Sequence, residues 1–402
     1  MNNVSAQDVP GNPAPKAAPL GRDNSLQVPK ADGNLSLMLN KVDDMTFEQR
    51  ERKPLKEGEV EVNIRQTGIC GSDVHYWCHG RIGDFVLTKP MCLGHESAGI
   101  VTQVGPGVDS HKVGDRVALE PGVPCLRCDL CKGGLYNHCE KMAFAATPPF
   151  DGTLATYYNL NASFAHKVPD TLTLEEASLM EPLSVAVYAT VYQGKVAPLQ
   201  NVLVFGAGPI GLLSAAVARA FGAKKVVVVD IVDSKLQFAK SFCADATYKP
   251  SMPKEGETRV QGSERNAQEL IASEASSDDI RSKGGFDLVL ECTGAEPCIQ
   301  MGLFAAKKRS RFVQIGMGGS PLSLPIHRIG IYEIEMVGSF RYGAGVYRTA
   351  IDLVATGKID VSRIVTHRYA FKDAILAFEA TKKGKGEDGE QCIKVQIAQG
   401  EA

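Results

Sequence analysis

The sequence predicts an α/β protein in two parts, a loop-rich β-barrel that carries metal ligands and a doubly wound parallel sheet. Three observations carry this prediction. Cys70, His95 and Glu96 lie in a glycine-punctuated stretch between Gly68 and Gly99. Four cysteines follow as Cys125-x2-Cys128-x2-Cys131-x7-Cys139. The third is Gly206-x-Gly208-x-x-Gly211, preceded by an apolar strand and followed by a helical run.

The chain is 402 residues long, enough for two domains with sizeable cores. Charged residues are 22% and the formal net charge is −2, so there is no basic footprint for nucleic acid or an anionic membrane. No apolar run approaches the ~18 residues of a bilayer span. Residues 1–34 carry Pro10, Pro13, Pro15, Pro19 and Pro29 without an apolar core. They read as a disordered extension, not as a secretory signal, and Asp8, Asp23 and Asp32 speak against a transit peptide. With that reading the eleven cysteines are reduced thiols or metal ligands, and the expected compartment is the cytoplasm.

Ordered structure is expected from Leu35. Val60–Ile64 alternates as a half-buried strand and delivers the chain to Cys70. A thiolate, an imidazole and a carboxylate at Cys70, His95 and Glu96 are three donors suited to Zn²⁺, and three protein ligands leave a position open for chemistry. Short β-rich runs from Gly99 to Ala118, broken by Gly105, Gly107 and Gly114, predict the barrel. The four-cysteine stretch specifies a closed thiolate site. An iron–sulfur motif would want a three-residue last gap followed by Pro, whereas here the gap is seven and Glu140 follows. Structural zinc there folds a loop too poor in apolar residues to hold itself.

Leu174–Tyr192 reads as helical, with Pro182 fitting a first turn. Glu181 beside it is a helix cap or a participant in a site. Val202–Phe205 leads into Gly206, Gly208 and Gly211, Leu212–Phe221 is a helix, and Val226–Val229 is a second buried strand ending in Asp230. Strand, glycines, helix and a later acid complete a dinucleotide fingerprint of the Rossmann type, in which Asp230 takes the adenosine ribose hydroxyls. Further strands are expected at Phe286–Glu291, Arg311–Ile315 and Ile334–Val337, with residues 251–268 as a polar surface insertion. Val346–Ala377 reads as helical, and Ile393–Ile397 as a last strand returning to the first part.

Four segments together, Gly68-Ile-Cys-Gly-Ser-Asp-Val-His-Tyr-Trp77, Gly94-His-Glu96, Met180-Glu-Pro-Leu-Ser184 and Gly338-Ser-Phe-Arg-Tyr342, resemble the zinc-containing medium-chain dehydrogenases. The resemblance is to the polyol branch, which holds sorbitol, xylitol and L-arabinitol dehydrogenases, and it runs from about Leu35 to Ile397. Ala145–Thr153 and Gly338–Gly343 look most like the xylitol enzymes. The resemblance implies a GroES-like barrel plus a Rossmann domain, and we divide the chain as extension 1–34, catalytic part 35–183, NAD-binding part 184–338 and a return to the catalytic part over 339–402. It implies catalytic zinc on Cys70, His95 and Glu96, with Glu181 as fourth ligand or bonded through water. Tyr76, Glu181, Arg341 and Tyr342 are then the polyol pocket, and Ser72 is a candidate proton relay. Gly206, Gly208, Ile210, Gly211, Asp230, Lys235, the turn Ile315, Gly316, Met317 and the run Ser339, Phe340, Arg341 contact NAD. The implied reaction is oxidation of a sugar alcohol, xylitol to D-xylulose, with hydride passing to NAD⁺ and zinc acting as Lewis acid. The implied assembly is a homotetramer. Sorbitol, L-arabinitol and L-threonine dehydrogenases are the alternatives among enzymes, and a non-catalytic relative is the alternative outside them.

Overall fold

The computed structural model describes residues 33–319 and 321–399. Apart from its last two residues, the N-terminal extension lies outside the described residues. Order begins with the hairpin β1 (Asn34–Lys41) and β2 (Asp44–Arg50), where the apolar run Leu37–Leu39 is buried.

The first part is a mixed sheet whose strands bring distant segments together. It contains β3 (Glu59–Gly68), β4 (Glu96–Val104), β5 (Arg116–Leu119), β6 (Tyr157–Asn161) and β7 (Ala165–Lys167). β3 pairs antiparallel with β4, so Gly68 stands opposite Glu96 in register. A Cβ on Gly68 would sit 2.2 Å from the Glu96 carboxylate, which is why only glycine fits there. Helix α1 (Gly71–His79) leaves the end of β3 directly. Cys70 is its N-cap, and Asp73 answers with a capping bond to the Cys70 backbone. One local motif thus presents the thiol and a carboxylate on the same helix end.

The second part is a six-stranded, all-parallel sheet. In chain order it has β8 (Asn201–Phe205), β9 (Lys225–Val229), β10 (Ala246–Tyr248), β11 (Phe286–Glu291), β12 (Ala306–Gln314) and β13 (Glu335–Gly338), laid out spatially as β10-β9-β8-β11-β12-β13. The strand order reverses between β8 and β11, which opens a crevice at their carboxyl ends. Buried Val202, Val204, Val226, Val228 and Leu288 form one face of its core, and Leu203, Phe205, Val227 and Phe286 the other. Burial on both faces is what makes these strands continuous apolar runs in the sequence.

Two expectations are corrected here. Residues 251–268 are not a surface insertion throughout. From Arg259 to Ala272 they form a helix with a Thr258/Gln261 capping box, which buries Ala267 and Leu270 in the core. Its apolar stripe is narrow and was hidden among polar residues. Nor is Val346–Ala377 helical throughout, because β14 (Val365–Ala370) intervenes between helices Val346–Ala355 and Ala374–Lys383. β14 runs parallel to β15 (Lys394–Ala398), and β15 pairs antiparallel with β3. The last strand therefore does return to the first sheet.

Candidate active site

The β3/β4 pairing and the start of α1 bring Cys70, His95 and Glu96 together. One donor atom from each lies within 4.8 Å of the others, and His95 and Glu96 are buried. Sulfur, imidazole nitrogen and carboxylate oxygen at that spacing fit one tetrahedral Zn²⁺. His95 Nδ1 faces the Asp73 carboxylate at 3.5 Å, and Ser72 Oγ lies 3.5 Å from His95 Nε2. Burial works to lower the His95 pKa, but Asp73 outweighs it and holds the ring well above its ordinary value. Asp73 is 1% exposed and accepts the backbone N–H groups of Cys70 and Gly94 at 3.1 and 3.0 Å.

Glu96 has a second partner from the far end of the chain. Lys394 on β15 is buried, pairs with the Glu96 carboxylate and donates to the Ile69 carbonyl at 3.0 Å. Burial would depress this ammonium, and the charge of Glu96 more than offsets it.

Glu181 lies in the first turn of the helix Met180–Val187, as Pro182 predicts, but it caps nothing. The N-cap is Leu179, without a side-chain bond. Its carboxylate is buried instead and accepts from the Tyr342 hydroxyl at 3.1 Å. Burial pushes Glu181 up to about 7, with the charges of His95 and Glu96 acting in opposite senses. Burial lowers the Arg341 pKa against the opposing charge of Glu181, and the guanidinium stacks 3.7 Å over the Phe144 ring. Tyr76 is buried, and burial raises its hydroxyl pKa above the ordinary value. Hence Cys70, Ser72, Tyr76, His95, Glu96, Glu181, Arg341 and Tyr342 converge from four separate stretches of sequence.

The dinucleotide fingerprint takes a matching shape. Gly206 has φ +94°, and a Cβ on Gly211 would lie 1.8 Å from the Gly206 carbonyl, so the turn and the close helix each require glycine. A Cβ on Gly208 meets no protein atom within 4 Å, and Gly208 caps helix Pro209–Ala220 without a side chain. Open space before unsatisfied helix N–H groups, Ile210 among them, fits a pyrophosphate. Asp230 accepts from Ala207 N at 2.8 Å and Val232 N at 2.9 Å, tying the loop to the end of β9. Lys235 stands in the first turns of helix Asp233–Phe242. On the other side of the crevice Gly316 packs against Gly294, and Met317 and Phe340 remain exposed, as does a fraction of Ile315. Ser339 donates its N–H to the Gln314 carbonyl at 2.9 Å.

The cysteine lobe closes separately. Sγ separations of 3.9 Å (Cys125–Cys131), 3.4 Å (Cys128–Cys131) and 4.0 Å (Cys128–Cys139) surround the ~3.8 Å edge of a tetrahedron with Zn–S bonds of about 2.3 Å. Backbone N–H groups of Arg127 and Cys128 hold the Cys125 thiol below its ordinary pKa, favouring the thiolate a metal takes.

Three functional candidates escaped the sequence reading. Asp73 had a signal, the Cys70-x-x-Asp73 capping pattern. Lys394 had a weaker one, a cation within an otherwise buried strand. Glu291 looked like the end of an apolar strand, yet its buried carboxylate accepts from Thr293 N, Gly294 N and Gln314 Nε2, fixing the loops after β11 and β12 at the crevice.

A GroES-like sheet joined to a parallel dinucleotide-binding sheet, with one open donor set and one closed, defines the class of zinc-binding dehydrogenases. The chain belongs to that family: residues 56–170 match the alcohol dehydrogenase GroES-like domain and residues 209–356 the zinc-binding dehydrogenase domain. It is 48% identical over 359 residues to D-xylulose reductase A of Aspergillus oryzae, covering 89% of this chain and 96% of that one. Among solved structures, L-idonate 5-dehydrogenase from Escherichia coli aligns at 27% identity with a TM-score of 0.78, covering 91% of this chain and 98% of that one. An alcohol dehydrogenase from Escherichia coli CFT073, complexed with NADH, also gives 27% and 0.78, covering 92% and 100%.

Proposed function

We propose that the chain is an NAD-linked polyol dehydrogenase that oxidises xylitol to D-xylulose, using zinc held by Cys70, His95 and Glu96. The observation that carries this is the convergence of that donor set with Glu181, Tyr342, Tyr76 and Arg341. Likeness to fungal D-xylulose reductases supports the substrate. Zinc bound there supplies Lewis acidity that favours loss of a proton from a substrate hydroxyl.

The protein's own groups do the rest. Arg341 offers a planar fork that can bind two neighbouring hydroxyls of a polyol. Stacking on Phe144 holds that partly buried fork in place. Glu181 with the Tyr342 hydroxyl forms a polar pair at the donor set, a ligand or a water-mediated partner, and Ser72 beside His95 can pass a proton outward. Gly206, Gly208 and Gly211 seat the pyrophosphate, and Asp230 takes the ribose. The apolar Met317 and Phe340 flank the crevice where the nicotinamide must lie for hydride transfer.

A second zinc on Cys125, Cys128, Cys131 and Cys139 is structural. Eleven unpaired thiols support a reducing compartment, which we read as the cytoplasm. Among the described residues no helix is long and apolar enough to cross a membrane. β13 ends the parallel sheet as an edge strand, with Ile326 and Ile331 exposed nearby, which supports self-association, and the family resemblance favours a homotetramer. The discriminating experiment is NADH formation with xylitol, sorbitol, L-arabinitol and L-threonine. The highest kcat/KM should fall on xylitol; a preference for sorbitol or L-arabinitol would keep the class and change the substrate, and no turnover on any polyol would overturn the reading.

A further inference from the structure

We propose that the cysteine lobe is a positioning device for the polyol pocket, acting through Asn137 on the segment Phe340–Ala344. This rests on the reading of Arg341 and Tyr342 as substrate-facing residues.

The lobe has almost no core of its own: its helix Asp129–Lys132 buries no side chain, so the thiolates hold its shape. Apart from the ligand Cys139, Asn137 is the buried side chain of the lobe. It is 3% exposed and donates Nδ2 to the Phe340 carbonyl at 2.9 Å. The partner is an acceptor, so the amide must present its NH₂ group there. At the other end of the segment the Ala344 N–H donates to the Gly134 carbonyl at 3.2 Å. A Cβ on Gly343 would lie 2.9 Å from that same carbonyl, so the two backbones touch. The Tyr136 hydroxyl, whose main acceptor is the buried Glu120, also lies 3.2 Å from the Gly343 carbonyl.

Between these anchors Arg341 adopts φ +53°, a left-handed conformation that a non-glycine residue keeps only when its surroundings impose it. The imposing surroundings are the lobe. That turn aims the guanidinium over Phe144, just beyond Cys139, and places Tyr342 on Glu181. Relaxing the lobe's grip lets Arg341 leave its strained conformation, so the polyol loses its fork while the metal donors and the fingerprint loop stay as they are. Asn137 is therefore a positioning residue for substrate affinity.

The test is Asn137→Asp, which keeps the shape but turns an acceptor towards the Phe340 carbonyl, with Asn137→Gln as the variant that retains the donor and Tyr136→Phe as a milder change. KM for xylitol should rise about tenfold in Asn137→Asp, the worth of one buried hydrogen bond. The change in kcat should be smaller, and Asn137→Gln should recover part of the loss. Zinc content by elemental analysis should match the parent, and NADH affinity by fluorescence, in which Phe340 also takes part, should fall far less than xylitol affinity. If Asn137→Asp does not fold, Tyr136→Phe must still raise KM for xylitol and spare NADH binding. Unchanged KM in the folded variants, or a parallel loss of kcat, NADH binding and zinc, would overturn the proposal while leaving the polyol reading intact. A parent enzyme inactive on every polyol would remove that reading and this proposal with it.

Discussion

The Asp73 carboxylate faces His95 Nδ1 at 3.5 Å while the backbone N–H groups of Cys70 and Gly94 donate to it. One buried anion thus ties together both chain segments that deliver the thiol and the imidazole and sets its charge beside the ring. A carboxylate behind a ligating histidine sets its tautomer and raises its basicity. We expect Asp73→Asn to weaken zinc binding at the Cys70/His95/Glu96 site by roughly 10- to 100-fold. Competition with a graded chelator measures this directly, and unchanged zinc retention would reduce Asp73 to a helix-capping residue.

The two donor sets should release metal differently. The cysteine lobe offers four thiolates, which close a tetrahedral site, whereas the mixed set offers three donors and so leaves a position open. Elemental analysis should find two zinc ions per chain. Brief chelation should remove one and abolish turnover while the far-ultraviolet circular dichroism stays near that of the parent. One zinc per chain, or activity after both are gone, would contradict this.

Glu181 is buried and bonded to Tyr342, and burial raises its pKa to about 7. Glu181→Gln keeps the shape and removes the negative charge beside the donor set. Turnover should fall by roughly 10- to 100-fold, with NADH affinity within a few-fold of the parent. Normal turnover would confine the residue to packing.

We place the adenosine ribose at Asp230, at the end of β9, where the neighbouring Ile231 and Val232 carry no cation. A 2′-phosphate there meets like charge, so NAD should be preferred over NADP by roughly 100- to 1,000-fold in kcat/KM. Lys235 and Lys249, the latter paired with Asp233 at 2.6 Å, are nearby cations that could soften this. Because Asp230 also accepts from Ala207 and Val232, replacing it with Ala would loosen the fingerprint loop. Asp230→Ser with Ile231→Arg keeps an acceptor and adds a phosphate partner, and should move preference towards NADP. Equal kcat/KM for both cofactors in the parent would show that Asp230 does not meet the ribose.

What the sequence determined by itself was everything written in short-range spacing. The strand–glycine–helix run from Val202 to Phe221 lies within one supersecondary unit, and so does the cysteine spacing from 125 to 139. The sterics of Gly206 and Gly211 and the reach of four thiolates are local, so a linear pattern specifies them. The family motifs around Cys70, His95, Glu181 and Arg341 likewise marked the candidate site.

Tertiary structure alone decided which of those groups meet, and with what third partner. Glu181 finds Tyr342 across 161 positions of sequence and Lys394 bonds Ile69 across 325. Lys394 also neutralises Glu96. Read from its neighbours alone Glu181 is a cap or a site residue, because a carboxylate before Pro182 serves either; the family resemblance assigned it to the site, and the structure adds its buried bond to Tyr342. β14 was hidden for the same reason: Val365–Ala370 has weak alternation and becomes a strand through pairing with β15. Burial and electrostatic pairing depend on distance in space, and no spacing along the chain encodes that distance for residues delivered by different strands.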